Sequence, residues 1–161
     1  MVKVQKGSRR NDVVFHGEPL PFPISRAVRA GDFVLTSALG DHIPDIGTLV
    51  YDGEGFPLAT GAHRHNRTFA DEVHGTFKSV TEALALAGCV LADVIDTQVW
   101  LKDPRDFPEL NRIYASYFRD TRPVRSVFQN HFMAQFRIEM KVVAYSPLSA
   151  PSETTADSDA T

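Results

Sequence analysis

A chain of 161 residues with 43% hydrophobic and 23% charged side chains has the length and composition of one globular domain with a real core. Its 17 basic and 20 acidic residues leave a net charge of −3, so no overall positive field recruits nucleic acid or an anionic membrane surface. The single cysteine, Cys89, excludes an intrachain disulfide framework and a cysteine-rich zinc site, and it fits a reducing cytoplasm.

The opening residues, 1–12, are polar and expected to be flexible, with no apolar signal segment. One domain is expected over 13–147. Residues 148–161, rich in Ser, Thr, Asp and Ala, bury too little to offset their ordering entropy and are expected to form a disordered acidic tail. No run is long enough to span a bilayer, so the expectation is a soluble cytoplasmic protein.

The first clear element is a hairpin, "RAVRAG" turning at Gly31 into the β-rich "DFVLTSA" of 32–38. Residues 39–62 carry many Gly, Pro and Asp and read as a long loop, with room for one short strand around "GTLVY". Phe69, Val73, Phe77, Val80, Leu84 and Ala87 then recur every three or four residues, the apolar face of a helix. Thr68 and Asp71 form a capping-box pair before it, and Gly88 stops it.

"DTQVWLK", residues 96–102, is the next strand. Asp103 and Pro104 supply the N-cap and first position of a second helix, whose stripe is Phe107, Leu110, Ile113, Tyr114, Tyr117 and Phe118. That stripe is expected to be core rather than a stacking platform. Strands near 124–129 and 136–145 finish the domain. The order β-β-α-β-α-β-β has too few helices for a doubly wound sheet, so the fold class is α+β, a mixed sheet with two helices on one face.

On the last strand Ile138, Met140 and Val142 suit packing under the helices, whereas Arg137, Glu139, Lys141 and Val143 must face water or another subunit. Arg137 and Lys141 flank Glu139 and are expected to favour its ionised form. Arg125, at the start of the preceding strand, is expected on a strand neighbouring that of Glu139.

"AVRAGDFVLTSA", "ALAGCVLADVIDTQVWLKDPRDFPELNRIYASYF", "RPVRS" and "RIEMKVVAY" together resemble the Rid family (YjgF/YER057c/UK114, formerly L-PSP endoribonucleases) from about Pro23 to Pro147. The resemblance implies a chorismate-mutase-like α+β fold assembled as a homotrimer with sites between subunits. It implies deamination of small 2-imino or 2-enamino carboxylic acids to keto acid and ammonia, with no metal and no organic cofactor. On the matching positions Arg125 would hold the substrate carboxylate and Glu139 would position the attacking water. Ser37 would line the pocket and Asn111 would lie at its edge. An imine carbon is already electrophilic, so such a site needs orientation, a placed water and proton traffic rather than a nucleophilic side chain.

The chain departs from the family where Ser37-Ala38-Leu39 replaces a Ser-Gly-Gln and where Ile24 replaces a tyrosine; its loop from 39 to 68 is also long. These departures point to a specialised branch acting on a larger unsaturated substrate of the aminomuconate type. Plainer readings stand beside each site residue. Arg125 would be a sheet-edge ion pair, Glu139 a charge balance for Arg137 and Lys141, and Asn111 a local backbone partner. The His63 and His65 pair lacks a third ligand of fixed spacing, so no metal is expected there, and Cys89 is expected to be packing. Two other function classes remain: a non-catalytic trimeric module binding a metabolite or protein, and a ribonuclease. The second lacks a basic stripe or exposed aromatics to support it.

Overall fold

The structure, a computed structural model, describes residues 13–17, 24–41, 50–51, 57–58, 67–132 and 136–148. The segment 1–12, residues 149–161 of the expected tail, and His63 and His65 lie outside the described residues.

Strand β1 (Val13–His16) pairs antiparallel with β2 (Ala27–Ala30), which turns through Gly31 into β3 (Phe33–Thr36). Val50–Tyr51 (β4) and Pro57–Leu58 (β5) form a separate two-stranded ladder in the long loop, one strand more than expected there. Helix α1 (Phe69–Leu86) carries the expected box: the Thr68 hydroxyl accepts the Asp71 N–H at 3.1 Å, and Asp71 accepts the Thr68 N–H at 2.9 Å. Gly88, at φ +72°, takes the left-handed turn after the helix that other residues adopt at a cost.

Strand β6 (Val94–Leu101) starts two residues before its expected place, with a register shift between Val94 and Asp96. Asp103 caps a 3-10 turn, Pro104–Asp106, rather than the helix itself, and α2 runs over Phe107–Tyr117. β7 (Val124–Gln129) and β8 (Ile138–Tyr145) complete a six-stranded sheet of order β1-β2-β3-β8-β6-β7. All its pairs are antiparallel except β6–β7, so the sheet is mixed, as expected for the α+β class. β1 was not anticipated; "VVFH" sits in a polar context and gains its partner only through the β2 ladder.

Both helices cover one face. Ile138, Met140, Val142 and Ala144 of β8 are buried beneath α1 with Val73, Phe77, Val80 and Leu84. The Phe77 ring stacks on Tyr117 of α2 at 3.8 Å, which joins the two helices. A buried ionic pair closes one end. Glu72 accepts the Arg137 backbone N–H at 3.0 Å and its Nε–H, while Arg67 pairs with Asp41 at 2.8 Å. Asp41 lies so close to Gly75 that a Cβ there would come within 1.9 Å of its carboxylate.

Candidate functional site

The insertion of β8 between β3 and β6 decides where the site residues fall. Arg125 lies on β7 and Glu139 on β8, and β6 runs between them, so they are not on neighbouring strands as expected. Paired residues in a sheet share a face. Arg125 is registered with Thr97, which is buried under the helices, whereas Glu139 is registered with Trp100, three residues on and on the other face. Within one chain the cation and the carboxylate therefore point to opposite sides of the sheet.

Arg125 is held by α2. Phe107, Asn111 and Tyr114 recur at i, i+4 and i+7, so one side of the helix meets the guanidinium. Its Nη2 donates to Asn111 Oδ1 at 2.6 Å, and its Cζ lies 4.5 Å from the Tyr114 ring centre and 5.7 Å from that of Phe107. Tyr114 is itself pinned, its hydroxyl 2.9 Å from Thr97 Oγ1 on β6. Burial pushes the Tyr114 phenol up, against the smaller opposing pulls of that hydrogen bond and of Arg125, so the ring stays neutral beneath the cation. The expectation that the α2 stripe is core alone thus needs correction. Leu110, Ile113 and Phe118 are buried core, but Tyr114 is core on one side and a platform for Arg125 on the other. Phe107 is 39% exposed. The i, i+4, i+7 spacing ahead of the Pro-x-Arg motif was the available signal.

Charge pairing sets Arg125 apart from the other half-buried arginines. Arg26, Arg67 and Arg137 each reach a carboxylate, as do the exposed Arg105 and Arg112, and Arg29 binds the carbonyls of Ala87, Gly31 and Ser146; Arg119 and Arg122 are exposed. Among the described residues Arg125, half-buried, has a neutral amide and two rings, and no carboxylate pairs with it. Among the described residues no sheet-edge ion pair forms there.

Glu139 is half-buried on the face without helices, beside Lys141 and across from Trp100. Burial pushes its carboxyl up, opposite to the expected effect of flanking positive charge. Arg137, just before β8, turns to Glu72 of α1 and to the Arg67 carbonyl instead of lining the bare face. Ser37 lies just past β3, between the Leu35–Val143 pair and the Leu39–Met140 bridge, and so belongs to the β8 side. Its hydroxyl donates to the Ser25 carbonyl at 2.7 Å, which leaves its oxygen lone pairs for a visitor. Ile24 is 49% exposed. The structure thus gathers Arg125 and Asn111 in one place and brings Ser37 and the Glu139 strand together in another.

The described residues contain no cluster of three or more His, Cys, Asp or Glu placed to hold a metal ion, and no helix among them is long and apolar enough to cross a membrane. Cys89 is buried, 3.2 Å from Arg29 Nη2.

The family profile described as Endoribonuclease L-PSP matches residues 22–146, and the chain belongs to this family, the Rid or YjgF family. A RutC family protein of Pyrococcus horikoshii is 28% identical over 137 residues, 83% of this chain and 97% of that protein. Human 2-iminobutanoate/2-iminopropanoate deaminase is 36% identical over 85 residues, 52% of this chain and 62% of that enzyme. Among solved structures, yeast Mmf1 superposes with a TM-score of 0.67 at 22% identity, over 83% of this chain and 98% of that one. Mycobacterium tuberculosis Rv2704, of the YjgF/YER057c/UK114 family, gives 0.63 at 23% identity over 83% and 98%. These structures share the α+β fold.

Proposed function

We propose that this protein is a cofactor-independent imine deaminase that hydrolyses small 2-imino carboxylic acids, and their enamine tautomers, to 2-keto acids and ammonia. The observation that carries the reading is Arg125: a half-buried guanidinium, stacked on Tyr114 and braced by Asn111, with no carboxylate of its own among the described residues. Such a group is preorganised for a carboxylate brought by a substrate, gripped by two parallel hydrogen bonds. The human and plant relatives named as imine and reactive-intermediate deaminases support the same class.

In the reaction, water oxygen bonds to C2 of the imine, the C–N bond breaks, and nitrogen leaves as ammonia while the C2 carbonyl forms. Glu139 orients the water, takes one of its protons as the C–O bond forms and passes it to nitrogen, then carries the hydroxyl proton of the resulting carbinolamine to the same nitrogen as the C–N bond breaks. Because Glu139 and Arg125 lie on opposite faces, the complete site takes Arg125 and Asn111 from one copy and Glu139 and Ser37 from the next. The face that carries Glu139 also exposes Phe15, Phe33, Leu35, Phe128 and Tyr145, apolar area of the kind subunit contacts cover. A homotrimer with three shared clefts satisfies both needs, and it would be cytoplasmic.

The test is complementation. Arg125→Ala and Glu139→Gln are each expected to release almost no ammonia from freshly generated imino acids. Unfolded and refolded together in equal amounts, they should regain activity, because random mixing leaves about one cleft in four with both groups intact. A mixture as inactive as its parents would place both residues in one chain's site. A parent protein that binds keto acids but releases no ammonia would instead be a binding module.

A further inference from the structure

We infer that the Phe107 ring is the specificity wall of the Arg125 pocket, selecting 2-imino acids with an extended apolar or unsaturated side chain over the smallest ones. This rests on the reading of Arg125 as the carboxylate receiver. Along the apolar stripe of α2, Leu110, Ile113, Tyr114 and Phe118 are buried, yet Phe107 is 39% exposed although it starts the same helix. Its ring centre lies 5.7 Å from the guanidinium carbon. Asn111 takes Nη2, and the Tyr114 ring, anchored by Thr97, closes the guanidinium's face.

A carboxylate paired to a guanidinium by two parallel bonds has its carbon about 4 Å from Cζ. A substituent on the next carbon that extends toward Phe107 then meets the exposed ring. The ring is also held firmly. Pro104 and Pro108 fix the backbone on either side of it, and Asp103 accepts the Arg105 N–H at 2.9 Å to lock the turn. A rigid apolar surface beside a carboxylate receiver gains contact with each added apolar group of the substrate, and it gives the shortest side chains nothing to touch.

The experiment measures kcat/KM for ammonia release from imino acids generated in situ from alanine, leucine and phenylalanine, with the parent, Phe107→Ala, Phe107→Leu and Phe107→Trp. The large-to-small ratio is expected to fall about tenfold or more in Phe107→Ala, less in Phe107→Leu, and to change again in Phe107→Trp. Light scattering records assembly for each variant. A ratio within twofold of the parent in the Leu and Trp variants overturns the inference, whether assembly is intact or lost; loss of assembly with an unchanged ratio would make Phe107 a subunit contact. Calorimetric titration of the same proteins with pyruvate and phenylpyruvate separates this from the deaminase reading. If the parent turns over no imine, Phe107→Ala must still weaken phenylpyruvate relative to pyruvate, and equal weakening of both defeats the wall.

Discussion

On the helix side of the sheet Thr97, Tyr114, Glu72 and Arg137 pair within the chain, whereas on the bare side the Glu139 carboxyl makes no hydrogen bond to another described residue. The helix side buries Thr97 against Tyr114, stacks Phe77 on Tyr117, and closes its end with Glu72 on Arg137 and Arg67 on Asp41. Arg125 emerges at the edge of that order with its orientation already fixed. Across the sheet, Phe33 and Tyr145 meet at 5.2 Å with both rings open to solvent, and Glu139 is half-buried with its carboxyl pushed up. On the reading proposed above, one side receives an anion and the other is a catalytic half that another surface completes, and the variants below separate the two.

The largest effect belongs to the receiver. Arg125→Ala removes both the charge and the planar fork, so kcat/KM should fall by about 10²-fold or more. Arg125→Lys keeps a point charge but loses the fork and the flat stack on Tyr114, and it should recover only a small part of the loss. Circular dichroism should show both variants folded, since the packing of α2 on the sheet survives through Tyr114 and Thr97 of β6. Full activity in either variant would return Arg125 to a structural role.

Glu139→Gln tests the bare side, and its effect should fall on kcat rather than KM, by roughly 10²-fold. The carboxylate must be ionised to accept the water's proton. Burial raises its pKa above 4.5, so activity should be lost, as pH falls, at a higher pH than an exposed glutamate would give. The same limb should vanish in the Gln variant. Stability follows the opposite sense. A carboxyl whose folded pKa is raised stabilises the fold at low pH, and that contribution is lost as pH rises from the unfolded value through the folded one. The Tm of Glu139→Gln minus that of the parent should therefore grow across this window. A pH-independent difference would mean that Glu139 does not keep a raised pKa in the folded protein, and would overturn this prediction.

Much of this was legible in the sequence because it rests on local rules. The Thr68–Asp71 box, the Gly88 stop and the period of α1 each depend on residues a few positions apart. That Arg125 and Asn111 belong to one site was legible only as a family motif, and their hydrogen bond was not expected, since it joins a helix to a strand 14 residues on. What could not be read was strand order. Nothing local says that β8 enters between β3 and β6, or that β6 registers Thr97 with Arg125 and Trp100 with Glu139, which sets the two on opposite faces. The charge run around Glu139 misled for a related reason: Arg137 is two residues away in sequence, but its partner Glu72 comes from the first turn of α1, 65 residues from Arg137.

The smallest effect, and the one that most sharpens the contrast, is at Asn111. Its Oδ1 takes one N–H of Arg125 without neutralising the charge. Asn111→Ala deletes that brace and leaves the stack on Tyr114, so KM should rise about fivefold, the worth of one hydrogen bond, with kcat nearly unchanged. Asn111→Asp does the reverse: it sets a carboxylate at hydrogen-bond distance from the guanidinium and completes the ion pair within the chain. A receiver that already holds an anion competes with its substrate, so the Asp variant should bind carboxylates more weakly than the Ala variant while melting at a higher temperature than either Ala or the parent at neutral pH. That opposition of binding and stability is what a cation kept vacant for a ligand predicts. If the Asp variant gained stability and bound keto acids as well as the parent, the anion would be received elsewhere and Arg125 would be no more than the edge of the helix face.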